Sequence, residues 1–113
     1  MSELTEKIVD FLKILADQTR LDMLLLLKNS AKSSAEIQKA LDKSQSTISQ
    51  HLKILWDADL ITFEKNKDNN VKYYTIKYLY IFKIISFIQS FVITLQKDKI
   101  RELTNFDVYD TLH

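Results

Sequence analysis

Residues 44–55 constrain the fold more than any other part of this 113-residue chain. Ile48, Leu52 and Leu55 recur there at i, i+4 and i+7, which is the spacing of one buried face of an α-helix. The other positions carry mainly hydroxyl and amide side chains, where an ordinary surface helix would carry stronger helix formers such as Glu, Lys and Ala. Hydroxyls and amides can bond to base edges and phosphates. The pattern therefore predicts a helix with one face in a core and the other in a DNA major groove.

A second, shorter helix is predicted immediately before this one. Ser33 and Glu36 fit a capping box, in which each side chain accepts a hydrogen bond from the backbone N–H of the other residue. Asp42 and Lys43 then form a turn, and Ser44 can cap the helix that follows. A short helix, a tight turn and a polar-faced helix predict a helix-turn-helix over about residues 33–59.

Two motifs carry a family resemblance. Residues 41–55, LDKSQSTISQHLKIL, resemble the signature of the ArsR/SmtB-type winged-helix repressors, and LADQTRL at residues 15–21 resembles the motif that precedes it in that family. The resemblance runs from about residue 4 to about residue 95. It implies a mainly α winged helix-turn-helix with a small β-hairpin, in the order α-α-α-α-β-β-α. It also implies a homodimer, formed through the first and last helices, on a pseudo-palindromic operator.

The ends of the helices can be predicted in part. The first helix is amphipathic, and Asp17 can cap a second helix whose run of apolar residues, 21–27, we expect to form the buried centre. Asp42 and Asp59 stand where the resembled family usually has glycine. Aspartate tolerates a left-handed backbone better than most residues, so both positions are compatible with the same fold.

A β-hairpin, the wing, is predicted over about residues 61–76. Residues 61–65 alternate apolar and polar side chains, and residues 71–76 are rich in β-branched and aromatic side chains. Between them lies an Asn-rich turn in which Asn69 or Asn70 can replace glycine. Lysines along the hairpin could contact phosphates or a minor groove, although an ordinary solvated hairpin would carry them too.

Residues 78–97 are predicted to form a dimerisation helix. Their apolar stripe is broader than one small domain can bury, and such a surface usually marks a partner. A membrane span is rejected, because the apolar run contains Lys83 and Gln89 and is shorter than the roughly 20 residues that a span needs. Residues 98–113 are expected to extend the helix a little and then pack as a tail, without an assigned function.

Composition restricts the possible chemistry. The chain has no Cys, Gly or Pro, which excludes thiol chemistry, thiolate metal sites and glycine-rich phosphate loops. Residues 28–77 hold nine lysines against six acidic residues, an excess on the predicted DNA-binding module that a solvated surface could also show. The length suits a single domain over residues 1–113. No secretory signal is visible at the start, so we expect a cytoplasmic protein without a cofactor.

Two sets of site residues are predicted. The DNA-contacting set comprises Lys43, Ser44, Gln45, Ser46, Thr47, Ser49, Gln50, His51, Lys53, Lys65, Lys67 and Lys72. The dimer set comprises Leu4, Ile8, Phe11, Leu12, Ile81, Ile84, Ile85, Ile88, Phe91, Val92 and Leu95.

Three side-chain groups leave alternatives open. For His51 a structural or phosphate-contacting role outweighs catalysis, because no Cys or second His is at hand in the module. Trp56 can pack against the core or contact DNA or a ligand. Asp107, Asp110 and His113 could gather on one side of a helix, but a solvated terminus explains them more simply, and no metal site is expected.

The sequence as a whole predicts a homodimeric DNA-binding regulator, most simply a repressor of transcription, and not an enzyme. The alternative is a winged-helix protein-interaction module that does not read DNA. The polar face of residues 45–50 favours the regulator, since an adaptor has no need of it.

Overall fold

The computed structural model describes the backbone of residues 2–112 and the side chains of residues 2–104. Over these residues, five helices and three strands follow one another as α1 (Ser2–Leu15), α2 (Gln18–Leu27), β1 (Lys32–Ser33), α3 (Ser34–Leu41), α4 (Gln45–Asp57), β2 (Ile61–Lys65), β3 (Lys72–Ile76) and α5 (Ile81–Leu112). The chain divides into two compact units, Met1–Leu79 and Tyr80–His113. The predicted mainly helical class with a β-hairpin is confirmed.

The first unit has a core to which α1 to α4 and the start of β2 all contribute. Its buried side chains are Leu15, Met23, Leu24, Leu27, Ile37, Ile48, Leu52, Leu55, Leu60 and Ile61. The predicted stripe of α4 is therefore buried as expected. Residues 21–27 of α2 were expected to be buried throughout, but Leu25 is 38% exposed. A helix in a small unit turns part of its surface away from its neighbours, even when its sequence is apolar on all sides.

A three-stranded antiparallel sheet, ordered β1-β3-β2, packs in the same unit. The wing is β2 and β3, with Phe63 opposite Tyr74 and Lys65 opposite Lys72. The strand order predicted from the sequence does not contain β1, in which Lys32 pairs with Tyr74. A two-residue strand has no periodicity of its own, and distant residues on β3 define it.

Three turns use a left-handed backbone without glycine. Asp42 has φ 53°, Asp59 has φ 60° and Asn70 has φ 59°. All three positions were predicted to replace glycine, and of the two asparagines considered in the wing it is Asn70 that does so. Aspartate and asparagine visit this region because their short polar side chains can bond locally.

The second unit is dominated by α5, a single helix of 32 residues. The expected end of the helix near residue 97 was wrong, because the helix continues through Leu112. Ile81 and Ile85 are buried, whereas most of the later apolar side chains are exposed, Phe87 by 75% and Phe91 by 64%. None of the helices, over the residues that the structure describes, is long and apolar enough to cross a membrane.

Candidate nucleic-acid interface

The helix that supports the interface, α3, begins with the predicted capping box. Glu36 N donates to Ser33 Oγ at 3.1 Å, and Ser33 N donates to Glu36 Oε1 at 2.9 Å. The hydrogen bond from the Ser33 backbone is the main reason why the pKa of Glu36 lies below its ordinary value. Two backbone donors that a helix start would leave unsatisfied are therefore paired, which fixes the point where α3 begins.

The turn between α3 and α4 is equally well defined. Asp42 takes the left-handed conformation, and the backbone N–H groups of Asp42 and Lys43 both donate to Gln38 O. Ser44 then caps α4, accepting from Thr47 N at 3.2 Å while its hydroxyl donates to Thr47 Oγ1 at 2.9 Å. The sequence thus fixes both ends of the turn by local bonds, which sets the angle at which α4 leaves α3.

The polar face of α4 is open to solvent. Of the nine predicted contact residues in the turn and helix, seven are exposed and two, Thr47 and His51, are half-buried. The exposed ones are Lys43, Ser44, Gln45, Ser46, Ser49, Gln50 and Lys53. Because Ile48, Leu52 and Leu55 are buried on the opposite side, the helix presents amides and hydroxyls on a surface that the core holds in place. This arrangement suits the insertion of α4 into a groove.

His51 contacts the protein interior instead of facing solvent. Its side chain is 17% exposed, and its Nδ1 lies 3.0 Å from Arg20 Nη1. A guanidinium can only donate, so Nδ1 accepts this bond. The separation of 3.9 Å between Nδ1 and Asp17 Oδ1 is too long for a hydrogen bond. This geometry favours the structural role for His51, and a contact of His51 with DNA stays a prediction.

Arg20, which the sequence did not single out, joins three helices. Its Nε donates to Ile14 O at 2.7 Å and its Nη2 to Lys13 O at 3.3 Å, at the end of α1. Its Nη1 donates to His51 on α4. Its backbone N–H donates to Asp17 Oδ1 at 3.0 Å, which is the largest cause of the lowered pKa of that carboxyl. The only signal in the sequence was its place in the LADQTRL motif.

The wing presents the three predicted lysines on its surface. Lys65, Lys67 and Lys72 are all exposed. The turn between the strands is ordered by Asn66, whose Oδ1 accepts from Asp68 N at 2.8 Å and whose backbone oxygen accepts from Asn70 N at 2.8 Å. The three lysines therefore lie on a hairpin whose backbone is held by local hydrogen bonds. Phosphate contacts need such a fixed placement of charge.

Aromatic rings fill the angle between α4 and the wing. The ring centroids of Trp56 and Phe63 lie 5.0 Å apart, and those of Phe63 and Tyr74 lie 5.7 Å apart. Lys72 Nζ lies over the Phe63 ring, 4.6 Å from its centroid. Trp56 packs against Phe63, which agrees with the predicted packing role, but its side chain remains 44% exposed. The neighbouring Lys53 pairs with Asp57 at 3.2 Å on the surface.

The predicted dimer residues fall into three groups by the burial of their side chains. Ile81 and Ile85 are buried within the single chain, and their part in a dimer stays a prediction. Phe11 and Ile84 are half-buried. The exposed members are Leu4, Ile8 and Leu12 on α1 and Ile88, Phe91, Val92 and Leu95 on α5.

The sequence predicts no metal site. No group of three or more His, Asp or Glu side chains close enough to hold a metal ion occurs in the part of the chain whose side chains are described. Asp107, Asp110 and His113, the one cluster considered from the sequence, lie outside those residues.

Comparisons with known proteins agree with this geometry. The sequence profile of the family described as "Bacterial regulatory protein, arsR family" matches residues 17–62, which include α2, α3 and α4. Arsenical resistance operon repressors are similar in sequence. The repressor of Staphylococcus aureus is 35% identical over 74 residues, which are 66% of this chain and 69% of the relative. This chain belongs to the ArsR family. The repressor of Bacillus subtilis (strain 168) is 42% identical over 64 residues, or 56% of this chain and 61% of the relative.

A solved structure supports the same assignment. The transcriptional regulator HlyU from Vibrio vulnificus CMCP6 is 34% identical, with a TM-score of 0.64 over 80% of this chain and 93% of the other. As an ArsR-family chain, this protein has the predicted winged helix-turn-helix fold. The match to the B. subtilis repressor spans less than two thirds of that protein's length.

Proposed function

We propose that this ArsR-family protein is a homodimeric transcriptional repressor that binds a pseudo-palindromic DNA operator in the cytoplasm. The observation that carries the proposal is the exposed amide and hydroxyl face of α4, mounted on a buried stripe of Ile48, Leu52 and Leu55. Gln45, Ser46, Ser49 and Gln50 supply donors and acceptors for base edges. Lys65 and Lys67 on the wing supply charge for phosphates. The names of the curated relatives, both operon repressors, support repression.

Dimerisation completes the proposal. The exposed apolar residues of α5, such as Ile88 and Val92, would pair with the same helix of a second copy, and those of α1 would add to the interface. Monomeric proteins rarely expose so much contiguous apolar surface. A two-fold axis would place two copies of α4 on two half-sites about one helical turn of DNA apart.

Base reading can be separated from phosphate binding by mutation. The operator is first selected from genomic fragments with the purified protein. Gln45→Ala or Gln50→Ala should then weaken binding to the operator by about 1–3 kcal/mol and leave binding to random DNA nearly unchanged. Lys65→Ala and Lys67→Ala should weaken binding to both DNAs and lower the salt slope by about one unit per lost phosphate contact. Fluorescence anisotropy over a salt series measures both quantities.

A matched control and a contrary result make this test decisive. Lys39→Ala removes an exposed lysine from α3, outside the predicted contact set, and should bind like the wild type. Equal weakening on operator and random DNA by the glutamine variants would exclude base reading by α4. A wild type that selects no fragment and shows no steep salt dependence on heparin would instead favour the protein-interaction module.

Assembly has its own measurement. Ile88→Glu places a charge in the proposed seam and should give a monomer in sedimentation, with weaker operator binding, because one half-site supplies only part of the contacts. Ser90→Glu, a neighbouring exposed and polar position on α5, should remain dimeric. A wild type that sediments as a monomer at micromolar concentration would contradict the dimer.

A further inference from the structure

A groove lies between α4 and the wing, within the first compact unit. Its volume is about 390 Å³, within the range of small-molecule sites. Four of its lining residues, Gln45, Ser49, Lys53 and Trp56, follow one another along a single side of α4. Phe63, Lys72 and Tyr74 line it from β2 and β3, and Ser34 and Leu52 complete it.

The walls of the groove suit a planar ring. Trp56, Phe63 and Tyr74 form a continuous cluster of tilted rings, and aromatic faces and edges bind another ring more favourably than aliphatic side chains of similar area do. Trp56 is the most accessible of the three, so its indole can still take up a further ring. Tyrosine is a neutral donor at physiological pH, and burial raises the pKa of the Tyr74 hydroxyl further.

The charges of the groove select for an anion. It is lined by Lys53 and Lys72, and none of the described residues that line it is acidic. Lys72 Nζ is held over the Phe63 ring, where the cation is already positioned beside the aromatic wall. Lys53 pairs with Asp57 on the surface, and such an exposed pair is weak enough for Lys53 to exchange one carboxylate for another.

We propose that this groove binds small aromatic carboxylates and that a bound ligand excludes DNA. The second part rests on the proposed function, because Gln45 and Ser49 both line the groove and belong to the face that would read bases. Lys72 likewise lines the groove and belongs to the predicted phosphate contacts. A ligand and the operator would compete for the same side chains, so release of DNA would need no change of conformation.

The binding step can be tested without DNA. The chain has one tryptophan, so its spectrum from nitrogen-15 NMR contains one indole N–H signal, which belongs to Trp56. Titration of the full chain with 2-naphthoate should shift this signal saturably. The neutral 2-naphthamide, of the same shape, should bind at least tenfold more weakly, a difference of about 1.4 kcal/mol. Absence of a saturable shift, or equal affinity for the two compounds, would overturn the proposal.

Variants locate the charge that selects the anion. Lys72→Gln removes the charge and keeps most of the length of the side chain, so it should reduce the affinity for 2-naphthoate severalfold and leave the affinity for 2-naphthamide unchanged. Lys39→Ala removes an equal charge away from the groove and should bind 2-naphthoate like the wild type. If Lys72→Gln binds 2-naphthoate as tightly as the wild type, the ligand does not occupy the groove as proposed.

Competition is measured last, with labelled operator DNA. The apparent dissociation constant for DNA should rise linearly with the 2-naphthoate concentration from its ligand-free value, with the same ligand constant that the Trp56 signal gives. Saturation of Trp56 without loss of DNA binding would refute the exclusion of DNA. A protein that binds no DNA even without ligand would refute the proposed function instead, and the naphthoate titration would still decide whether the groove binds aromatic anions.

Discussion

Arg20→Ala should destabilise the first unit more than any ordinary surface substitution. The substitution removes the bonds from Nε to Ile14 O at 2.7 Å and from Nη1 to His51 Nδ1 at 3.0 Å, both partly buried. A hydrogen bond from a charged group contributes about 1.5–3 kcal/mol, and partial exposure calls for the lower value. Two such bonds give an expected loss of about 3 kcal/mol. The third bond, to Lys13 O at 3.3 Å, is exposed and adds little.

Urea unfolding followed by circular dichroism measures this loss, with all variants at one protein concentration because the unfolding of the proposed dimer would depend on concentration. Arg20→Lys should recover less than half of the loss, since one ammonium group cannot span all these acceptors. Lys7→Ala, whose exposed pair with Glu3 at 3.9 Å is weak, should change stability by less than about 0.5 kcal/mol. If Arg20→Ala lowers the free energy of unfolding no more than Lys7→Ala does, the hydrogen bonds of Arg20 do not stabilise the first unit as proposed.

A double-mutant cycle isolates the contact between α2 and the recognition helix α4. The coupling energy between Arg20→Ala and His51→Ala should be about 1 kcal/mol, because each single substitution removes the same hydrogen bond. Strict additivity would show that Arg20 acts only through the end of α1.

Three further predictions concern a helix cap, pH and metals. Ser33→Ala should lower the free energy of unfolding by about 1 kcal/mol in the same urea assay, because it removes half of the capping box. The pKa values of Asp17 and Glu36 are lowered from 3.8 and 4.5, so the stability that these carboxylates contribute should be present above those values and lost as pH falls below them. A pH series of urea midpoints should therefore show a weaker dependence on acid pH for Glu36→Gln than for the wild type, because the variant lacks the Glu36 carboxylate. Zinc, arsenite, peroxide or chelator should change operator affinity by less than tenfold, since the chain has no thiolate; a larger shift that disappears on removal of residues 107–113 would locate a metal site there.

The features that the sequence predicted correctly are those fixed by residues close together in the chain. The capping box joins Ser33 and Glu36, three positions apart, and the left-handed turns at Asp42 and Asp59 follow from the residue types that tolerate them. The buried stripe of α4 follows from helical spacing alone. Each of these could be predicted because its energy depends on local geometry.

The features that were missed depend on distant residues. Strand β1 exists because Lys32 and Ser33 pair with β3, some forty residues later. The contact of His51 with Arg20 spans 31 positions. The period of α4 places His51 next to the stripe of Ile48 and Leu55, but it cannot indicate a partner on α2. The aromatic groove needs α4, β2 and β3 together. The end of α5 differs from the prediction for another reason, since the apolar stripe weakens near residue 97 but no Gly or Pro interrupts the residues that follow.

The left-handed residues Asp42, Asp59 and Asn70 affect the denatured chain as well as the native one. Glycine would adopt these backbone angles without strain, but it would also give the unfolded chain more conformations to lose on folding. Aspartate and asparagine accept some native strain and, in return, restrict the denatured ensemble. A glycine-free chain therefore offsets part of the strain of its turns by a smaller loss of backbone entropy. The two aspartates lie in the turns on either side of α4. Both ends of the helix proposed to enter DNA therefore combine some native strain with a smaller loss of backbone entropy on folding.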